Sequence, residues 1–332
     1  MRLRTALFGV LLFLQGALVL TGGAVRLTGS GLGCPTWPHC TPGSYTPVPH
    51  QAEGQLHAWI EFGNRLLTFA LLLAAILVVI NVGLISRMIR RILKTSWVRK
   101  YSLRIPKVEL PSRISRMYQN VVKIRESDRK DLHILAAGQV LGILGQGVLG
   151  GITVLTHLHP LSVAGHLLLS MFLIAGATSL FSRRHLRSMK INAPTKTISV
   201  ISQLHIVVAF VVLILGTIVT GSGPHAGDEK ARRFGFDIQT VAWLHADAVI
   251  FLMGLTVALL VTASLGRSSK KAIYIFLGVS LAQGAIGYTQ YFTGIPEALV
   301  AAHLAGATIF WIAAWRIRLS IVRTSQQERD RK

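Results

Sequence analysis

Eight apolar runs divide this chain, at about residues 5–25, 57–83, 132–155, 161–181, 199–220, 241–263, 272–291 and 298–319. Runs of about 18 or more apolar residues read as membrane-crossing helices, since backbone amides in hydrocarbon must pair within their own segment. Polar positions cluster between the runs, most of all over residues 84–131. The pattern predicts an all-α integral membrane protein of eight helices. The first run is too long for the apolar stretch of a secretory leader and no small-residue cleavage site closes it, so it reads as a retained helix.

The runs repeat in fours. Thr28-Gly29-Ser30-Gly31 closes run one and Thr220-Gly221-Ser222-Gly223 closes run five. Gln146 precedes His166 by 20 residues, and Gln283 precedes His303 by 20. Leu56-His57-Ala58 opens run two and Leu244-His245-Ala246 lies early in run six. These matches predict two four-helix bundles, residues 1–183 and 184–332. Both halves begin and end on one side, which places a pseudo-twofold axis along the membrane normal.

Composition agrees: 51% of the 332 residues are hydrophobic and 14% charged, with mean hydropathy +0.52, against about 25% charged in soluble proteins. The formal net charge of +22 would suit a nucleic-acid partner, but its distribution has a topological account. With the N-terminus inside, 30 of the 35 Lys and Arg fall on one side, all except Arg26, Arg65, Lys230, Arg232 and Arg233. By the positive-inside rule both termini are cytoplasmic, and the basic loops face anionic lipid rather than nucleic acid. Within residues 84–131, Met88–Arg99 and Arg113–Arg125 read either as short surface helices or as parts of an irregular insert.

Of the twelve histidines, His39, His50, His157, His159 and His225 fall in outer loops or turns, where a solvated role is the simpler account. His133, His205 and His185 lie toward the inner side without repeat partners. His57, His166, His245 and His303 remain, all near the outer ends of even-numbered runs. One buried histidine is more often a satisfied core residue than a ligand; four that recur by symmetry, two per bundle, shift that balance. Bundles build cofactor sites from facing helices. Two imidazoles suit six-coordinate haem iron, whereas zinc takes three or four ligands.

The halves then diverge. Four, seven and eight residues after His57 stand Glu61, Asn64 and Arg65; the same steps from His245 give Val249, Leu252 and Met253. All three polar residues share one helical stripe with His57. An intramembrane carboxylate and guanidinium mark a functional site by default, against the plainer alternative of a Glu61–Arg65 ion pair that locks the bundle. Cys34 and Cys40, the chain's two cysteines, share the first outer loop, where an oxidising environment allows a disulfide; two free thiols are the alternative.

The run Thr28-Gly29-Ser30-Gly31-Leu32-Gly33-Cys34-Pro35-Thr36-Trp37-Pro38-His39-Cys40, the helix motif Glu61-Phe62-Gly63-Asn64-Arg65, the stretch Gly150-Gly151-Ile152-Thr153-Val154-Leu155 before His166, and the twin bundle together resemble the bacterial haem A synthases. The resemblance covers the chain except residues 84–131. It implies conversion of haem O to haem A by oxidation of a ring methyl to a formyl group. It further implies haem b held in the C-terminal bundle by His245 and His303, substrate haem in the N-terminal bundle, a Cys34–Cys40 disulfide, and a catalytic Glu61. Many members carry Glu-x-x-His-Arg, the histidine ligating the substrate haem; here Asn64 occupies that slot. His57, about 10 Å along the helix, is the expected replacement, opposite His166. The alternative is substrate haem held by His166 alone, with an open iron position. Arg26 and Arg65 are expected near haem propionates, as guanidinium forks match carboxylates.

The expected partners are haem O, a haem O synthase, the assembly of terminal oxidases, and membrane lipid, with homo-oligomerisation left open. The expected place is the bacterial cell membrane, with the haem sites toward its outer side. Two rival readings differ in class. One is a dihaem b-type electron-transfer cytochrome with a structural Glu61. The other is a transporter, which lacks here the Gly/Pro-broken mid-helix pair that such repeats carry.

Overall fold

A computed structural model describes residues 2–83, 112–183, 195–229, 231–262 and 265–329. Its helices are α1 (Arg2–Leu27), α2 (Gln55–Asn81), α3 (Ser112–Leu155), α4 (Pro160–Ser182), α5 (Lys196–Ser222), α6 (Ile238–Val261), α7 (Arg267–Phe292) and α8 (Glu297–Arg329). Each contains a stretch long and apolar enough to cross a membrane, and each of the eight predicted runs falls on one of them. Arg113–Arg125 is neither a separate surface helix nor an irregular insert: the backbone is continuous α3 from Ser112. No Gly or Pro interrupts residues 112–137, so nothing breaks the helix between Pro111 and the span. Met88–Arg99 lies outside the described residues.

Local chemistry sets several helix starts. The turn before α4 carries His157 and Leu158 at φ 49° and 57°. His159 then caps α4, its Nδ1 accepting from the Leu161 amide, with Pro160 in the first turn; proline is tolerated there because that N–H has no helical partner. Asp237 caps α6, its carboxylate accepting from the Thr240 amide at 2.8 Å and from the Thr240 hydroxyl at 2.7 Å.

α1–α2–α3–α4 pack as one closed ring and α5–α6–α7–α8 as a second. The rings meet through α1 against α8 and α4 against α5, two contacts that a twofold axis interchanges, and through α4 against α8 beside that axis. Tryptophans on α8 fasten this seam. Trp311, 2% exposed, donates through Nε1 to the Met171 carbonyl at 2.6 Å, and Trp315 to the Ser179 hydroxyl at 2.7 Å.

The buried apolar core lies at the end of the bundles where α1 begins and α8 ends. Phe8, Leu11, Leu71, Ala75, Val78, Ala136 and Leu180 fill the first ring. Ile198, Ala209, Leu259, Ile273, Phe276 and Trp311 are among those filling the second. Two glutamines cross the first ring: Gln15 donates to the Gln139 Oε1 at 2.9 Å, and Gln139 to the Leu173 carbonyl at 3.0 Å. The outward surface is apolar, with Phe13, Ile134, Leu141 and Leu281 among its exposed side chains. Such a surface suits lipid, since water would make it an aggregation face.

Candidate functional site

At the opposite end of the bundles the packing gives way to histidines. His166 on α4 faces Gly150 on α3, His245 on α6 faces Gly216 on α5, and His303 on α8 faces Gly287 on α7. In all three, a Cβ on the glycine would lie 3.3 Å from the ring Cε1. Each glycine is therefore a notch into which an imidazole fits, and a methyl added there would require the ring to shift by a few tenths of an ångström. The three rings sit at matching depth, six, seven and six residues after the first residue of their helices. In all three, Nδ1 is buried without a hydrogen-bond partner.

The His245 and His303 ring centroids are 6.4 Å apart. Two imidazoles bound to one metal from opposite faces would bring their centroids to about 6.3 Å, from a metal–nitrogen bond of about 2.0 Å on each side. Among the described residues no group of three or more His, Cys, Asp or Glu gathers. The donor set of the second bundle is thus a facing imidazole pair, and it fits axial ligation of a haem.

His57 is placed differently. It is the third residue of α2, and its Nδ1 lies 2.8 Å from the Ser30 hydroxyl, itself 2.8 Å from that of Thr28. The Leu-His-Ala triplets pair His57 with His245 in sequence; the fold does not. His245 lies against Gly216, which the Thr-Gly-Ser-Gly alignment carries to Ala24. The α2 residue at that level is Asn64. It packs by Gly22, and its Oδ1 accepts from the Thr21 hydroxyl at 2.7 Å. The mismatch arises because 29 residues separate Thr28 from His57 but only 25 separate Thr220 from His245, so equal motifs fall at unequal helix depths.

Between His57 and Asn64 on α2 sits Glu61, 6% exposed. Its Oε1 accepts from Arg65 Nη2 at 2.6 Å and Nε at 3.1 Å, and its Oε2 from the Cys34 amide at 2.7 Å. Arg65 continues outward, donating to the carbonyls of Cys34 (2.9 Å), Thr36 (3.2 Å) and His39 (3.1 Å). Cys34 and Cys40 are disulfide-bonded. The loop they close lies over the first bundle: Gly33 rests on the His57 carbonyl, where a Cβ has no room, and the Trp37 ring covers Gly151 of α3. Gln51 donates to the Gly33 carbonyl. Glu61 and Arg65 are thus an ion pair and the clamp of a disulfide-closed cap.

Arg26 is not in that centre. It lies at the seam between bundles, where Nη2 donates to the Thr220 carbonyl at 2.7 Å and Nε is buried without a partner. It lines a small cavity with Leu158, Pro160, Thr217 and Arg232. Three other histidines join elements. His133 Nε2 is 3.0 Å from the Val82 carbonyl, His205 Nε2 is 3.1 Å from the Thr256 hydroxyl, and His225 Nε2 is 2.9 Å from the Ile295 carbonyl. His185 is outside the described residues.

Sequence reasoning missed the glycine notches, although two of the three were visible. Gly150 and Gly287 each stand four residues after a repeat glutamine and 16 before a repeat histidine. It also missed the Cys34 amide, a backbone donor that carries no mark in the sequence.

A family model for cytochrome oxidase assembly proteins, COX15-CtaA, matches residues 5–227. The chain belongs to that family. The match takes in the whole first bundle, with its capped Glu61–Arg65 pair, and α5; His245 and His303 lie beyond it. Two relatives, each named heme A synthase, come from Geobacillus thermodenitrificans and Geobacillus kaustophilus (strain HTA426). Each is 34% identical over 65 residues, which is 20% of this chain and 18% of the relative. The chain thus aligns with about a fifth of the length of these curated relatives.

Proposed function

We propose that this family member is a haem A synthase, which oxidises a ring methyl of haem O to the formyl group of haem A. One observation carries the reading. Two pseudo-symmetric bundles hold notched histidines at matching depth, and among the described residues only the first adds a buried carboxylate, clamped beneath a cap. The name of the Geobacillus relatives supports it. In this reading the unit 184–332 is the haem b domain, with His245 and His303 as ligands, and the unit 1–183 takes haem O, with His166 as a ligand.

Methyl-to-formyl oxidation (R–CH3 + H2O → R–CHO + 4 H+ + 4 e−) takes its oxygen from water and needs an external four-electron acceptor, to which a haem held by His245 and His303 would pass electrons one at a time. Glu61 is the group placed for this chemistry. It is an anion fixed by Arg65 and the Cys34 amide, in a low-dielectric setting where it stabilises positive charge developing beside it or takes up a proton. The cap over residues 33–40 excludes water from that centre. By the charge distribution both termini are cytoplasmic and the haem sites lie toward the outer face. A haem O synthase upstream and terminal-oxidase assembly downstream are the partners.

A dihaem electron-transfer cytochrome is the second reading. It is favoured by the fact that both Glu61 oxygens already have protein partners, as a purely structural ion pair would. Haem extraction and mass analysis separate the two, on membranes co-expressing this chain with a haem O synthase. Haem A or a hydroxylated intermediate in the wild type, absent in Glu61→Ala, is the expected result. Haem b and unconverted haem O alone would favour the cytochrome; product in both samples would remove Glu61 from the mechanism.

A further inference from the structure

We propose that His166 is the only protein ligand to the haem iron in the first bundle, and that Asn64 and Thr21 form an open distal pocket for a small exchangeable ligand. This rests on the haem-binding reading above and goes beyond it.

His166 and His303 each lie six residues into their helices against Gly150 and Gly287, with the same 3.3 Å approach. They are the same member of the two pairs. In the second bundle the opposite member is His245, seven residues into α6. In the first bundle the α2 residue level with it is Asn64, nine residues into its helix and bonded to Thr21. His57 is two residues into α2. That is about 10 Å from Asn64 at a rise of 1.5 Å per residue, so it cannot share with His166 an iron placed as in the second bundle. It is also engaged: its Nδ1 meets Ser30, and its carbonyl supports Gly33 of the cap. Asn64 is a poor substitute ligand, because carbonyl-type oxygen suits hard cations whereas imidazole suits iron. Its amide and the Thr21 hydroxyl are instead of the right kind to hydrogen-bond a small molecule on the iron's distal side. In the second bundle the apolar Leu213 stands where Thr21 does in the aligned motif.

The test uses the full-length protein in detergent, loaded with haem, reduced and exposed to carbon monoxide, with haem counted per chain. The expected wild type holds two haems, one of which binds carbon monoxide. His166→Ala should lose that haem, and His57→Ala should keep both the haem and its carbon monoxide response. Asn64→His should cut carbon monoxide binding at least tenfold and convert a high-spin to a low-spin spectrum. Two haems with no carbon monoxide response in the wild type would overturn the inference. So would a response that appears only after His57→Ala. If wild type and His166→Ala both carry a single haem, the first bundle holds none; the functional reading fails, and the inference with it.

Discussion

Arg65 offers the sharpest test of how the first bundle is built. Its guanidinium makes two bonds to Glu61 Oε1 and three to the carbonyls of Cys34, Thr36 and His39. Removing one partner of a buried pair costs about 3–5 kcal/mol, because the remaining charge is left uncompensated. The three carbonyl bonds add about 0.5–1.5 kcal/mol each, though bonds sharing one guanidinium are not additive. Part of the total is recovered because the Arg65 side chain is 21% exposed and water can enter. A net local loss of about 3 kcal/mol in Arg65→Met corresponds to about a hundredfold greater opening of the cap. Arg65→Lys keeps the charge opposite Glu61, but a single ammonium cannot also span three carbonyls, so roughly a tenfold rise is expected. Hydrogen exchange of the peptide covering residues 33–40, followed by mass spectrometry in detergent, reads this directly. Wild-type protection in both variants would refute the clamp and leave the Glu61–Arg65 pair an ordinary i,i+4 contact.

Three further predictions follow from the geometry. Gly287→Ala should raise helix propensity by about 1 kcal/mol yet displace the His303 ring, lowering the low-spin haem signal; Gly284→Ala on the same face-free stretch, with nothing within 4 Å of its Cβ, should leave that signal unchanged. Equal spectra would remove the notch from the argument. The Asp237 carboxyl is held below its ordinary value of 3.8 by hydrogen bonds from the Thr240 hydroxyl and amide. Its capping contribution is therefore full above that value and is lost as pH falls through the lower folded one. The Thr240 amide should lose protection relative to an Asp237→Ala control only in that acid range. Trp311→Ala, which empties a buried site at the seam and strands the Met171 carbonyl, should cost about 3–5 kcal/mol in detergent unfolding; a loss under about 1 kcal/mol would show that the seam repacks.

The sequence alone determined the membrane class, the eight helices and the twofold repeat, because hydrocarbon leaves a backbone few options and long apolar runs declare them. It also singled out His166, His245 and His303, since intramembrane imidazoles recurring at fixed spacing are costly to carry without use. It could not determine depth. A shared Leu-His-Ala triplet made His57 and His245 look equivalent, while the level of a side chain in a bundle depends on where its helix starts, which the intervening loop decides. Nor could it show that Glu61 meets the Cys34 amide, or that Gly33 and Gly151 make room for the cap. Backbone donors are the same at every residue, and only the tertiary path of the chain selects which of them faces a buried carboxylate. Arg26 teaches the same lesson from the other side. Its charge marked it for a site, and its bond to the Thr220 carbonyl near the end of α5 gave it a seam instead.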